Sequence, residues 1–268
     1  MRYSVASKTG NRKSLKHAAL ELYTWSKCRH PNVQPLLGLV EFRGQIGMVS
    51  TWEVNGNLSE HVRLRPNVDR CWLSAQIATG LLYLHDSGVI HGDLKACNVL
   101  VSKEGVPLLA DFGNATLQVY TLEFTSTSTK SALSTRWAAP EVLEGHVTHS
   151  IPADVYALGM VRVQLIESGI GLSHSFTQFQ TILETITGAL PWAGKADPAV
   201  MAAVMIKKSH PERPLKHIPE ESEHGDILWS MLERCWAYNP GDRPTAAEIQ
   251  DTMRGVTDEG LNPKSDTS

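Results

Sequence analysis

A chain of 268 residues with 42% hydrophobic and 20% charged residues carries enough apolar material for one substantial core, in one large domain or two modest lobes. Its formal net charge of −3 leaves no global basic excess of the kind that holds a protein on nucleic acid or anionic lipid, so partners have to be argued from sites. Cys28, Cys71, Cys97 and Cys235 stand far apart with no C-x-x-C pair, which predicts neither a disulfide framework nor a zinc cage. The opening residues lack a signal-peptide core and no window approaches about 18 uninterrupted apolar residues, so a cytoplasmic or nuclear protein is expected.

In chain order, Leu15, Ala18, Ala19, Leu22 and Trp25 fall at helical spacing and predict an amphipathic helix over Ser14 to Ser26, stopped by His30-Pro31-Asn32. Val33 to Val40 and Gly47 to Trp52 read as strands around an Arg43-Gly44 turn. Asn57, with Glu60 three residues on, predicts the cap of a short helix. A long helix follows from Val68 to His85 on Trp72, Ile77, Leu81 and Leu84, ending at Asp86-Ser87-Gly88. Val89-Ile90 and Val99 to Val101 flank a polar loop, and Pro107 to Ala110 runs apolar into Asp111-Phe112-Gly113. Helices return after Pro140, the last opened by a capping box between Thr245 and Glu248, and a polar tail from 255 to 268 is expected to be disordered. Trp72, Trp229 and Trp236 are expected in the core.

His91-Gly92-Asp93-Leu94-Lys95-Ala96-Cys97-Asn98 fits the pattern H-R-D-L-x-x-x-N with Gly92 in place of Arg, and Asp111-Phe112-Gly113 and Ala139-Pro140-Glu141 follow in order. Four specified letters at fixed spacing arise by chance on the order of 10⁻⁵ per start position, and three ordered motifs leave coincidence negligible. Phosphoryl transfer needs a carboxylate aimed at the attacking hydroxyl, oxygen ligands for hard Mg²⁺ ions, and positive charge where the transferred group spreads its own. Asp93, Asn98 with Asp111, and Lys95 suit those tasks in turn. His146 and His149 have H-x-x-H spacing, but no third ligand candidate is marked and a metal site is not expected there.

On these residues the chain resembles a protein kinase of the tyrosine-kinase-like group, and is especially similar to fungal kinases whose catalytic loop begins H-G-D-L-K. The resemblance covers Ser14 to Arg254 with one interruption, and implies an α+β, two-lobe fold: a partial small lobe over 1–52 and a mostly helical large lobe over 53–254. It implies ATP and Mg²⁺ as cofactors and a protein substrate, with no role for nucleic acid or membrane. By the same resemblance Ser50 is the small residue at the back of the nucleotide pocket, and Thr51 to Glu53 offers main-chain groups to adenine. Glu21 is the helix glutamate that pairs with the nucleotide lysine, for which Lys8 in Val5-Ala6-Ser7-Lys8 is the candidate, its rival being an ordinary exposed lysine. Asp154 implies a buried anchor for the catalytic loop, and Glu141 with Arg243 a buried ion pair.

The departures point elsewhere. The chain holds no G-x-G-x-x-G phosphate loop, so the small lobe is expected to be truncated and nucleotide binding weak and Mg²⁺-dependent. An ATP-dependent kinase acting on Ser/Thr, with Tyr left open, therefore competes with a pseudokinase or interaction module without turnover. Residues 161–180 break the lobe's central helix with Ser168-Gly169-Ile170-Gly171, and their ends, Val161-Arg162 and Gln180, can be encoded by codons that suit intron boundaries, so this insertion is expected to be an unspliced intron, its rival being a genuine lineage-specific loop.

Overall fold

The computed structural model describes residues 2–5, 12–42, 45–117, 137–160, 185–186, 192 and 196–261. Lys8, the 161–180 segment, the Arg43-Gly44 turn and the last residues of the tail fall outside that set.

Among the described residues the small lobe is a three-stranded antiparallel sheet with one helix. Strands β1 (Arg2–Val5), β2 (Leu36–Phe42) and β3 (Gln45–Ser50) lie in the order β1-β3-β2, with Arg2 opposite Ser50 and Val40 opposite Gly47. Helix α1 (Arg12–Lys27) is seated by Trp25, whose buried indole N–H donates to the Gln34 carbonyl at 2.6 Å. The second strand begins three residues later than its apolar pattern suggests, and the reason is where its main-chain groups go. Leu109 donates to the Asn32 carbonyl at 2.8 Å and Gln34 donates to the Leu109 carbonyl at 2.8 Å, so 32–34 is spent on the large lobe. An added Cβ on Gly80 would lie 2.8 Å from the Asn32 carbonyl oxygen, which is why this close approach requires glycine.

In the large lobe, α2 (Leu58–Leu64) is capped by Asn57, whose side-chain oxygen accepts from Glu60 N at 3.0 Å. Helix α3 (Arg70–Asp86) is capped by Asp69 and buries Leu73, Ile77, Leu81 and Leu84. Trp72, expected in the core, is instead 41% exposed, because the heavily buried helix turns that position outward. Strand β4 (Val89–Ile90) pairs with β7 (Thr116–Leu117), and β5 (Val99–Val101) with β6 (Pro107–Leu109), bracketing the polar loop between two short ladders.

Helix α4 (Pro140–Leu143) leads to α5 (Ile151–Gly159), capped by the Ser150 hydroxyl, which accepts from Ala153 N at 3.1 Å. Asp154 to Gly159 are all buried, and α5 stops at Met160, whose backbone is extended. Further on, Thr185 and Ile186 are helical and buried, and both their carbonyls accept from the Arg70 guanidinium at 3.2 Å. Helices α6 (Asp197–Met205), α7 (Glu223–Cys235) and α8 (Ala246–Gly255) complete the bundle, the last with its capping box intact. The expected disorder from 255 onward is corrected up to residue 261: α9 (Asp258–Leu261) buries Leu261, and its Asp258 carboxylate accepts from Arg70 N and Cys71 N, both at 3.1 Å. These are otherwise partnerless first-turn donors of α3, so holding 256–261 satisfies a helix start as well as burying Val256.

Candidate active site

The loop between β4 and β5 is set by one buried carboxylate. Asp154 accepts from His91 N at 2.8 Å, Gly92 N at 2.9 Å and His85 Nε2 at 3.1 Å. Burial alone would raise its pKa, but the His85 and main-chain donors more than offset this and hold it below the usual carboxylate range. His91 is fixed from both sides: its Nε2 donates to the Ala110 carbonyl at 3.1 Å, leaving Nδ1 to accept from Asp93 N at 3.3 Å.

These restraints bring three of the expected residues together. Lys95 Nζ lies 2.5 Å from Asp93 Oδ2, and Asn98 Nδ2 donates to Asp93 Oδ2 at 3.1 Å and to its carbonyl at 2.9 Å. With its amide nitrogen so used, Asn98 has its side-chain oxygen left to accept, and among the described residues Cys97 Sγ donates to it at 3.3 Å. Ala110 N donates to the Asn98 carbonyl at 2.8 Å and ties this loop to Asp111 next door. Asp111 is exposed, with φ of 63°, in the left-handed region that Asp tolerates better than most residues. Phe112, its neighbour, is buried and stacks on Trp25 with ring centroids 5.7 Å apart, so α1 packs directly on this turn.

The protein kinase domain model matches residues 2–253. The chain belongs to the protein kinase domain family. Among curated relatives it is 27% identical to serine/threonine-protein kinase STY17 of Arabidopsis thaliana over 243 residues, 89% of this chain and 37% of that one. It is 29% identical to mitogen-activated protein kinase kinase kinase ANP1 of the same plant over 252 residues, 91% of this chain and 33% of that one. It is 26% identical to serine/threonine-protein kinase BCK1/SLK1/SSP31 of Saccharomyces cerevisiae over 249 residues, 91% of this chain and 15% of that one. The chain thus spans well under half the length of these relatives.

Elsewhere in the kinase domain, Arg243 donates to both oxygens of Glu141, at 2.7 and 2.8 Å, and also to the carbonyls of Ala237 and Pro152. Ser50 is buried at the end of β3, and the Thr51 hydroxyl donates to Glu53 Oε1 at 2.5 Å. The Thr51 carbonyl accepts from Gln34 Nε2 at 3.0 Å, a contact with no advance signal in the sequence. Glu21 reaches the Asp111-Phe112-Gly113 turn, its Oε2 3.9 Å from where a Gly113 Cβ would stand. Burial, and then the nearby Asp111 charge, raise its pKa to about 7. His146, half of the H-x-x-H pair, lies 3.3 Å from Glu144, and among the described residues no three His, Cys, Asp or Glu side chains gather to hold a metal.

Gly92 has φ of +74°, and an ideal Cβ there would lie 2.7 Å from both the Asn114 carbonyl oxygen and His149 Nδ1. Glycine at this place is thus demanded by both conformation and space. His149 is the residue that sequence reasoning set aside; nothing in its local spacing connects it to a loop so far away along the chain.

Proposed function

We propose that this domain transfers the γ-phosphate of ATP to protein hydroxyls, of Ser or Thr first and with Tyr left open. The single observation that carries this reading is the Asp93–Lys95–Asn98 cluster, closed at 2.5 to 3.1 Å around a carboxylate, with the exposed Asp111 tied to it through Ala110 N and the Asn98 carbonyl. Asp93 is the group to accept the substrate hydroxyl's proton as attack begins, and Lys95 supplies positive charge beside it for the transferring phosphoryl oxygens. Asn98 and Asp111 offer the hard oxygen donors that suit Mg²⁺, an ion that keeps water and phosphate oxygens in its remaining positions and so needs no protein cage. When bound, that ion neutralises phosphate charge.

Further support is general. The named relatives are serine/threonine kinases and mitogen-activated protein kinase kinase kinases, and Lys95 directly after Asp93-Leu94 resembles the Ser/Thr pattern. In this reading Ser50, Thr51 and Glu53 line the adenine end, and Glu21 awaits a cationic partner, for which Lys8 is the candidate. Burial and the Asp111 charge raise the pKa of Glu21, and a lysine alongside would lower it. Among the described residues no helix is long and apolar enough to cross a membrane. The domain division proposed is 1–52 and 53–254, with 161–180 as an insertion.

The absence of G-x-G-x-x-G favours a second reading, a pseudokinase that binds weakly without turnover. Incubation with Mg²⁺ and γ-labelled ATP, a mixed Ser/Thr/Tyr peptide library and phosphoamino-acid analysis separates the two. Phosphoserine or phosphothreonine formed only with Mg²⁺ is expected; nucleotide binding without any transfer supports the pseudokinase.

A further inference from the structure

We propose that Gln34 is a positioning residue for base recognition: its buried carboxamide holds the Thr51 carbonyl as an acceptor for the amino group of adenine, and so sets a preference for ATP over GTP. The proposal rests on the reading in which Thr51 to Glu53 offers main-chain groups to adenine.

The main chain of Gln34 is gripped from two sides. Its N–H donates to the Leu109 carbonyl at 2.8 Å and its carbonyl accepts from the Trp25 indole at 2.6 Å, so β6 and α1 fix the base of the side chain. From there the carboxamide reaches the segment after β3. Nε2 donates to the Thr51 carbonyl at 3.0 Å and to the Thr51 hydroxyl oxygen at 2.9 Å, and that hydroxyl donates its own proton to Glu53 Oε1. A carbonyl can only accept, and a hydroxyl whose proton is used on Glu53 can only accept from elsewhere. The nitrogen end must therefore face Thr51, with both its N–H groups engaged.

Other restraints on this segment are weaker or lie further along it. Ser50 Oγ reaches the same carbonyl at 3.4 Å, long for a hydroxyl donor, and Gly56 N holds the Glu53 carbonyl at 3.1 Å. The direction of the Thr51 carbonyl depends chiefly on Gln34.

Holding it carries a penalty in stability. Gln34 is buried, and among the described residues its Oε1 has no hydrogen-bond partner. An apolar side chain of the same shape would avoid that penalty, but it could not hold Thr51. A carbonyl oxygen has two lone pairs, of which Gln34 takes one. Adenine presents an amino donor at the position where guanine presents an oxygen. A held acceptor attracts the first and repels the second, and a site built around one hydrogen bond rejects the analogue that lacks its partner.

Two variants test this on the full chain. Gln34→Met keeps the volume and removes the donor, whereas Thr51→Val removes the hydroxyl and leaves the carbonyl. Titrated with each nucleotide, wild type should bind MgATP at least about ten-fold more tightly than MgGTP. In Gln34→Met the MgATP affinity should fall about ten-fold with MgGTP within about two-fold of wild type, and Thr51→Val should lose about three-fold for MgATP alone. Equal affinity of wild type for the two nucleotides overturns the proposal, as does an unchanged MgATP affinity or a parallel loss of both nucleotides in Gln34→Met. If Gln34→Met does not fold, Thr51→Val decides: a loss for MgATP alone supports the proposal and no loss overturns it. Amide exchange over 51–54 needs no nucleotide. Faster exchange in Gln34→Met than in wild type is expected, and identical exchange contradicts it. If wild type binds neither nucleotide, the function proposed above has failed, while the exchange comparison still decides whether Gln34 holds the segment.

Discussion

Two side chains removed from the reacting atoms carry testable energies. Arg243 is almost wholly enclosed, and its charge is matched by both Glu141 oxygens and two carbonyls. Glu141→Gln removes the charge but not the shape, leaving a buried guanidinium without its counter-ion. Urea unfolding should show a loss of roughly 3–5 kcal/mol, and a loss below about 1 kcal/mol would mean the pair is solvated. His149 gives a pH signature of known sign. Its folded pKa lies below the unfolded value near 6.5, so below that pH the unfolded chain takes up a proton that the folded site resists. Stability is therefore lost as pH falls through that window, and His149→Asn should lose less between pH 7.5 and 5 than wild type does. An equal loss in both would show that the ring titrates freely. Asp93, Lys95, Asn98, Asp111, Glu141 and Arg243 were legible because their spacing is local to short motifs. His149 and Gln34 were not, since the ring meets Gly92, and the amide the Thr51 carbonyl, only through folding.

Apolar periods located α1 and α3 to within a few residues and the caps Asn57 and Thr245 located the starts of α2 and α8, because each cap satisfies a main-chain donor nearby in sequence. Strand β2 started late and the stretch from Val256 to Leu261 was ordered for the opposite reason: Leu109 and α3 supply partners from distant sequence. The central helix raises a question that these elements sharpen. Helix α5 is nine residues long, while Thr185 and Ile186 are buried and helical, which is what an interrupted core helix would leave on either side. Deleting 161–180 to join Met160 to Thr181 should raise the melting temperature by about 3 °C or more, consistent with about 1 kcal/mol for a domain of this size. A lower melting temperature, or a variant that fails to fold, would make the segment part of the native fold.

The two lobes meet along a seam that also builds the site: Trp25 of the small lobe stacks on Phe112, and 32–34 is bonded to β6 just before Asp111. Any nucleotide between them would therefore touch a surface whose two halves are already registered. The composition indicated only that such a core was affordable; the motifs indicated the large lobe, and the small lobe was harder to read because its strands carry few fixed residues. The central claim is that Asp93 performs chemistry while Asn98 and Asp111 hold the metal nucleotide. It is tested most directly by single-turnover transfer of the γ-phosphate in wild type and Asp93→Asn, with MgATP affinity titrated on the same samples. The account predicts at least about a hundred-fold slower transfer by Asp93→Asn at nearly unchanged affinity. Transfer at the wild-type rate, or an affinity lost in step with the rate, would contradict it.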